Sequence, residues 1–97
     1  MYVRFEWDQR KNTTNRRKHD VSFEEAQTVF YDESALLIAD PDHSHDEDRF
    51  VLLGISARLR VLVVCHCSRS DDEVIRIISA RKATRAERAA YEARWSR

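Results

Sequence analysis

Arg49-Phe50-Val51-Leu52-Leu53-Gly54-Ile55-Ser56, followed by Leu59 to Ser68 and Glu73 to Ala80, is the stretch on which the fold turns. All three runs have strand length and are rich in Val, Ile and Leu. Short turns separate them, Ala57-Arg58 first and Arg69-Ser70-Asp71-Asp72 second. That spacing marks a meander of antiparallel hairpins. Period-two alternation sends Cys65 and Cys67 to one face of the middle strand and His66 to the other. In the last run it separates Val74, Arg76, Ile78 and Ala80 from Ile75, Ile77, Ser79 and Arg81, so each face is expected to hold one arginine.

Upstream of the meander, Ser34 to Ala39 reads as a further strand, and Asp40 to Asp48 as a loop by its Pro41 and its polarity. Tyr2 to Trp7 alternates, with Val3, Phe5 and Trp7 as the inward set of a short strand. Asp8 can N-cap a helix through about Lys18 that contains no apolar residue. A helix polar all round bridges solvent or meets a polar ligand. Lys11, Asn15 and Lys18 fall on one cationic face of it. Ser22 and Glu25 have the spacing of a capping box, with Val21 placed to staple against Ala26. Phe23, Ala26, Gln27, Val29 and Phe30 form the stripe of that short helix, which ends near Tyr31. Downstream, Thr84 and Glu87 make a second box, opening a helix through about Trp95 with Ala86, Ala89, Ala90 and Ala93 turned inward. The order β-α-α-β-β-β-β-α predicts an α+β fold, one antiparallel sheet with helices packed on it.

The 97 residues fit a single domain spanning 1–97. One Gly and one Pro among 42% hydrophobic and 35% charged residues exclude collagen-like, low-complexity and disordered chains. The apolar run Val61 to Cys65 falls far short of a membrane span. The first residues show no apolar leader, so a soluble, cytoplasmic protein is expected. Net charge is zero but segregated: residues 1–18 carry +4, 49–70 carry +4 and 76–97 carry +5, while 32–48 hold seven acids and no Lys or Arg. Arginine supplies 14 of the 17 cations, and its planar fork grips phosphate at two points. Such segregation suits an anionic polymer if the acidic segment folds away from the basic face; an ordinary salt-bridged surface has the same composition.

Arg81, Lys82 and Arg85 gather where the last helix begins, and the backbone N–H groups and dipole of such a terminus accept phosphate. Arg76 lies amid apolar strand residues, where it either pairs with an acid on a neighbouring strand or binds substrate. His19 follows Arg16-Arg17-Lys18, a setting for a proton-transfer group, a phosphate ligand or a plain helix C-cap. His43 and His45 beside Asp46 and Asp48 have metal-like spacing, but a loop without a fixed frame preorganises a metal poorly. Cys65 and Cys67 lack the paired C-x-x-C units of a zinc site, so neither metal nor cofactor is expected. Gly-rich phosphate loops, G-x-S-x-G elbows and H-E-x-x-H helices are absent, which removes nucleotide hydrolysis, esterase and zincin chemistry.

Several groups of residues then resemble one family. Phe5-Glu6-Trp7-Asp8, the set Lys11, Asn15, Lys18 and His19, and Val21-Ser22-Phe23-Glu24-Glu25-Ala26 are similar to the opening of the BrnT toxins of bacterial BrnT/BrnA toxin–antitoxin modules. Asp48-Arg49-Phe50, Leu53-Gly54-Ile55-Ser56, Ile75 to Thr84, Glu87-Arg88 and Tyr91 continue the likeness in order. Thr13 and Thr14 stand where that family has apolar residues, and Asp20 where it has Gly. The resemblance implies a fold similar to RelE-type ribonucleases, metal-independent RNA cleavage and inhibition of translation. It also implies neutralisation by a small BrnA-like antitoxin with a ribbon-helix-helix-like DNA-binding domain, two copies of each chain forming the complex.

Metal-free RNA cleavage needs a base for the 2′-hydroxyl, an acid for the leaving 5′-oxygen and cations for the nonbridging oxygens. Arg49, Arg76 and Arg81 are cast as phosphate clamps, because Arg neither gives nor takes a proton near neutral pH. His19 is the first choice for proton transfer, ahead of Glu47 and Tyr91. Trp7 either stacks on a base or belongs to the core. Lys11, Lys18, Lys82, Arg85 and Arg88 complete the expected RNA-binding set. Tyr31, Trp95 and the edge strand near Leu36 are candidate seams for the antitoxin. The alternative is a non-catalytic basic module that binds nucleic acid or the antitoxin within a repressor complex.

Overall fold

The computed structural model describes residues 3–40, 48–69 and 73–94. Strand β1 (Arg4–Glu6) leads into helices α1 (Gln9–His19) and α2 (Phe23–Thr28) and a 3-10 turn (Val29–Tyr31). Strands β2 (Leu36–Ala39), β3 (Arg49–Ile55), β4 (Val61–Arg69) and β5 (Val74–Lys82) follow, and α3 (Arg85–Ala93) comes last. This is the order the sequence predicts. The strands form one five-stranded sheet, β1-β5-β4-β3-β2. Strands β2 to β5 are antiparallel neighbours, whereas β1 runs parallel to β5. The expectation of a wholly antiparallel sheet is corrected at that edge. A parallel pair needs a long crossover, and here nearly the whole chain between β1 and β5 provides it.

One face of the sheet carries the main core. Leu52, Leu62, Val64, Ile77 and Ala80 meet Val21, Phe23, Ala26 and Val29 from α2 and its flanks. Ser22 Oγ accepts the Glu25 N–H at 3.0 Å, as the capping box requires. The reciprocal half goes elsewhere: the buried Glu25 carboxylate binds Ser56 Oγ at 2.7 Å and the Arg60 guanidinium. A buried carboxylate is costly without a cation, and an N-cap amide offers none. Burial alone would raise the Glu25 pKa; Arg60 and Ser56 hold it below the ordinary value. His66 is buried between Phe30 and Phe50, with ring centroids at 4.8 and 6.0 Å. Cys65 and Cys67 are free and half-buried.

Helix α3 sits over a smaller cluster on the opposite face, Leu53 and Val63 with Tyr91. The sequence turns its alanines inward; the structure leaves Ala86, Ala89, Ala90 and Ala93 exposed and buries Tyr91. Tyr91 OH donates to Asp32 Oδ2 at 2.5 Å, and the same oxygen accepts the Ile55 N–H at 2.9 Å. One large ring with a satisfied polar tip anchors the helix where four methyl groups would bury little area. Gly54 makes room for this carboxylate, since a Cβ there would lie 2.9 Å from Asp32 Oδ2.

Helix α1 docks with no apolar residue. Strand β1 covers β5 only from Val74 to Arg76. Further along, Asn15 takes the free edge: its Nδ2 donates to Ala80 O at 2.7 Å and its Oδ1 accepts the Ala80 N–H at 3.1 Å. A carboxamide carries both donor and acceptor, so Asn15 does for Ala80 what a neighbouring strand would. Its Nδ2 also donates to Val21 O at 2.8 Å. Asn12, 1% exposed, accepts the Phe23 N–H at the start of α2 and donates to Glu24. The expected face of Lys11, Asn15 and Lys18 lines one cleft, with its two lysines exposed and Asn15 between them buried against the sheet. Thr13 and Thr14 face solvent.

Candidate active site and nucleic-acid interface

A β-bulge decides where the arginines go. Strand β4 pairs Cys65 with Ser79 and next His66 with Ile77, so Ile78 is passed over. The extra residue reverses the alternation along β5. Arg76 then lies opposite Cys67 and Arg81 opposite Val63, and Arg49 on β3 also lies opposite Cys67. All three share one face, against the expectation of one per face.

Arg49 and Arg81 line a cleft of about 250 Å³ together with His19, Asp40, Cys65 and Ser79. His19 enters it as the last residue of α1, where Asp20 adopts the left-handed conformation (φ 59°) and closes the helix with its N–H on Arg16 O. A second cleft, about 300 Å³, continues from His19 and Ser79 past Lys18, Lys11 and Arg10. Among the described residues, Arg10, Lys11 and Lys18 make no ion pair. A roomier depression of about 660 Å³ lies along α1 with Arg16, Arg17 and Arg58. It mixes those cations with Asp20 and Glu24 and contains none of the candidate residues.

The sheet arginines differ from those of α1, for each holds a carboxylate. Arg49 Nε is 3.2 Å from Asp40 Oδ2. Arg76 Nη1 is 3.0 Å from Glu6 Oε2, which Arg69 shares at 2.8 Å. Arg81 sends both Nη groups to Glu87, at 2.8 and 3.0 Å. The Arg81 hydrogen bonds hold Glu87 down to about pH 2 against an ordinary value of 4.5. Arg76 similarly lowers the pKa of Glu6. The expectation of three open clamps is thereby corrected. Arg76 lines neither cleft and matches the ion-paired reading of a strand arginine. Arg81 has its two-point edge filled, whereas among the described residues the one carboxylate on Arg49, Asp40, takes its Nε.

The start of α3 is also occupied from within. Thr84 Oγ1 accepts the Glu87 N–H and Glu87 Oε1 accepts the Thr84 N–H, completing the capping box. A terminus capped by its own carboxylate is no open anion site. Lys82 turns to Asp20 at 3.6 Å, and Arg85 is exposed on α3. Lys82 and Arg88 border a separate cleft of about 370 Å³ beside Leu59 and Tyr91.

Two aromatic candidates are structural. Tyr91 is buried with its hydroxyl on Asp32. Trp7 packs edge-on against Phe23, centroids 6.1 Å apart, and donates to Gln9. Tyr31 is exposed and Leu36 half-buried on the edge strand. Glu47, His43, His45 and Trp95 lie outside the described residues. Asp40, Asn12 and Asn15 are the residues sequence reasoning missed as structural determinants. Asn12 and Asn15, three apart on one helix, carried a signal, since an otherwise charged helix needs some group to dock it. Asp40 carried none, being one acid in an acidic run.

No helix among the described residues is long and apolar enough to cross a membrane. The α+β domain carries helices on both faces of its sheet, and its histidine–arginine cleft continues into Arg10, Lys11 and Lys18, cations that make no ion pair among the described residues. Comparison with known families gives the class: a ribonuclease toxin of a type II toxin–antitoxin system, the description of the family model, BrnT, that matches residues 7–87. The chain belongs to this BrnT family. The crystal structure of the Brucella abortus ribonuclease toxin BrnT, at 1.1 Å, is similar in fold, with a TM-score of 0.67 and 24% identity, covering 86% of this chain and 99% of that one. A RelE-like description fits this architecture only approximately. No curated protein sequence matches the chain.

Proposed function

We propose that the protein is an endoribonuclease that cleaves RNA without a metal ion and so arrests translation, with the His19–Arg49–Arg81 cleft as its active site. The observation that carries this reading is the meeting of His19, Arg49 and Arg81, from three distant stretches, at the end of a groove lined by Lys11 and Lys18, which make no ion pair among the described residues. The backbone of an RNA strand follows α1, its phosphates drawn by Arg10, Lys11 and Lys18. At the cleft, His19 takes the 2′-hydroxyl proton, the oxygen attacks the adjacent phosphorus and the 5′-oxygen leaves. Arg49 stabilises the charge that grows on the nonbridging oxygens. Lys82, Arg85 and Arg88 lie beyond this groove and extend the basic surface. Glu47, the carboxylate candidate from the sequence, protonates the leaving 5′-oxygen.

The family's type II toxin–antitoxin system supports an antitoxin partner, and the proposal takes it to be a BrnA-like protein with a DNA-binding domain that silences the toxin in a complex of two copies of each chain. The filled edges of Arg76 and Arg81 favour a second reading, binding of nucleic acid without cleavage. One experiment separates the two. Purified protein is incubated with RNA in excess EDTA, beside His19→Ala. The proposal expects cleavage in EDTA and a loss of about a hundredfold or more in the variant. Binding with no cleavage at any enzyme concentration supports the second reading, and cleavage that stops on chelation overturns metal independence.

A further inference from the structure

We infer that Asp40 and Cys65 are positioning residues for Arg49, holding its guanidinium so that the two-point phosphate-binding edge faces the cleft unoccupied. The inference rests on the proposed role of Arg49. Asp40 follows β2, is 6% exposed, and brackets Arg49 twice. Its backbone N–H donates to Arg49 O at 3.2 Å, and its Oδ2 accepts from Arg49 Nε at 3.2 Å. Cys65 comes from β4, on the other side of β3, and its Sγ–H donates to the same Oδ2 at 3.5 Å. Burial pushes the Cys65 thiol pKa up, which keeps the proton on sulfur and the thiol a donor at neutral pH.

The choice of nitrogen gives the arrangement its meaning. A guanidinium has five N–H donors, and Asp40 uses the one on Nε. The Cys65 sulfur lies beside the guanidinium, but among the described residues no carboxylate takes either Nη group of Arg49, which leaves that edge for two parallel bonds to a phosphate. Arg81, in the same cleft, shows the opposite geometry: both Nη groups are spent on Glu87. A flexible arginine must be ordered before it can bind, and that ordering costs free energy at each encounter. Asp40 orders Arg49 in advance, and Cys65 fixes Asp40. Preorganised charge of this kind acts mainly on the transition state.

The test is a double-mutant cycle in the full chain, read as kcat and KM on one RNA substrate. Asp40→Ala is expected to lower kcat about tenfold with little change in KM, and to lower it no further in the Arg49→Ala background. Cys65→Ala is expected to cost about threefold and Cys65→Ser to restore the rate, since a hydroxyl also donates. An equal loss from Asp40→Ala in both backgrounds marks a merely structural role and overturns the inference. If Asp40→Ala does not fold, Asp40→Asn replaces it, with the same cycle and a smaller expected loss.

A readout independent of activity is the NMR signal of the Arg49 Nε–H. It should exchange slowly with water in the native protein and faster in Asp40→Asn and Cys65→Ala. Unchanged exchange in both variants overturns the inference even if RNA is cleaved. Failure of the native protein to cleave RNA defeats the proposed function instead, and the exchange measurement still decides the positioning.

Discussion

Helices α1 and α3 invert what their sequences advertise. Helix α1 has no apolar residue, yet it is fixed to the sheet by buried carboxamides. Helix α3 has an alanine stripe, yet it exposes that stripe and holds on by Tyr91. Their cations differ too. Those of α1 along the groove make no ion pair among the described residues. The carboxylate of Glu87 on α3 instead takes up Arg81 of the neighbouring strand. The helix held by hydrogen bonds therefore keeps its charge for a ligand, and the helix held by an aromatic anchor spends charge on its own start.

The largest expected effect breaks the first half of that contrast. Asn15→Ala removes three buried hydrogen bonds and leaves the Ala80 N–H and C=O without a protein partner. Each unsatisfied buried group costs about 1–3 kcal/mol, so a loss of about 3 kcal/mol is expected in urea unfolding. Asn15→Asp should be as harmful, because a carboxylate cannot donate to Ala80 O. A loss below about 0.5 kcal/mol would mean that water replaces the carboxamide and that α1 is held elsewhere.

That prediction also shows what the sequence exposes and what it hides. Element order is legible because each strand of the meander carries its own apolar run and each turn its own polar break. The partner of β1 is not, since three residues cannot state which edge they join or in which direction. The placement of Arg76 and Arg81 depends on the skipped Ile78, and a run such as Ile75-Arg76-Ile77-Ile78 reads the same with or without a bulge. His19, Arg49 and Arg81 can be named from residue type and family likeness, and the structure brings them to one cleft. Their carboxylate partners cannot, because ion pairs between residues far apart in sequence depend on the finished sheet.

A smaller effect addresses the anchor of α3. Tyr91→Phe keeps the ring and removes the hydrogen bond to Asp32, for an expected loss of about 1 kcal/mol. The same change should leave RNA cleavage within about twofold, since the hydroxyl is buried away from the His19 cleft. A large loss of cleavage with normal stability would return Tyr91 to the catalytic candidates.

The smallest effect concerns the charge that α3 keeps. Glu87 has a depressed folded pKa, about 2 against 4.5, chiefly through hydrogen bonds from Arg81. A depressed acid contributes stability that is present above its unfolded pKa and lost as pH falls through the folded one. The gap in stability between the native protein and Glu87→Gln should thus be full at neutral pH, narrow from about pH 4.5 downward and vanish near pH 2. Partial exposure of the pair keeps that gap small and sensitive to salt. The variant carries a second consequence, because the amide keeps one acceptor oxygen but loses the other and the charge, which releases one Nη group of Arg81 beside His19 and Arg49. RNA binding at low salt should then tighten, with a steeper salt dependence by about one phosphate contact. A gap that narrows on schedule while RNA affinity stays unchanged would show that Arg81 serves α3 alone, and would leave Arg49 as the cleft's single phosphate-binding arginine.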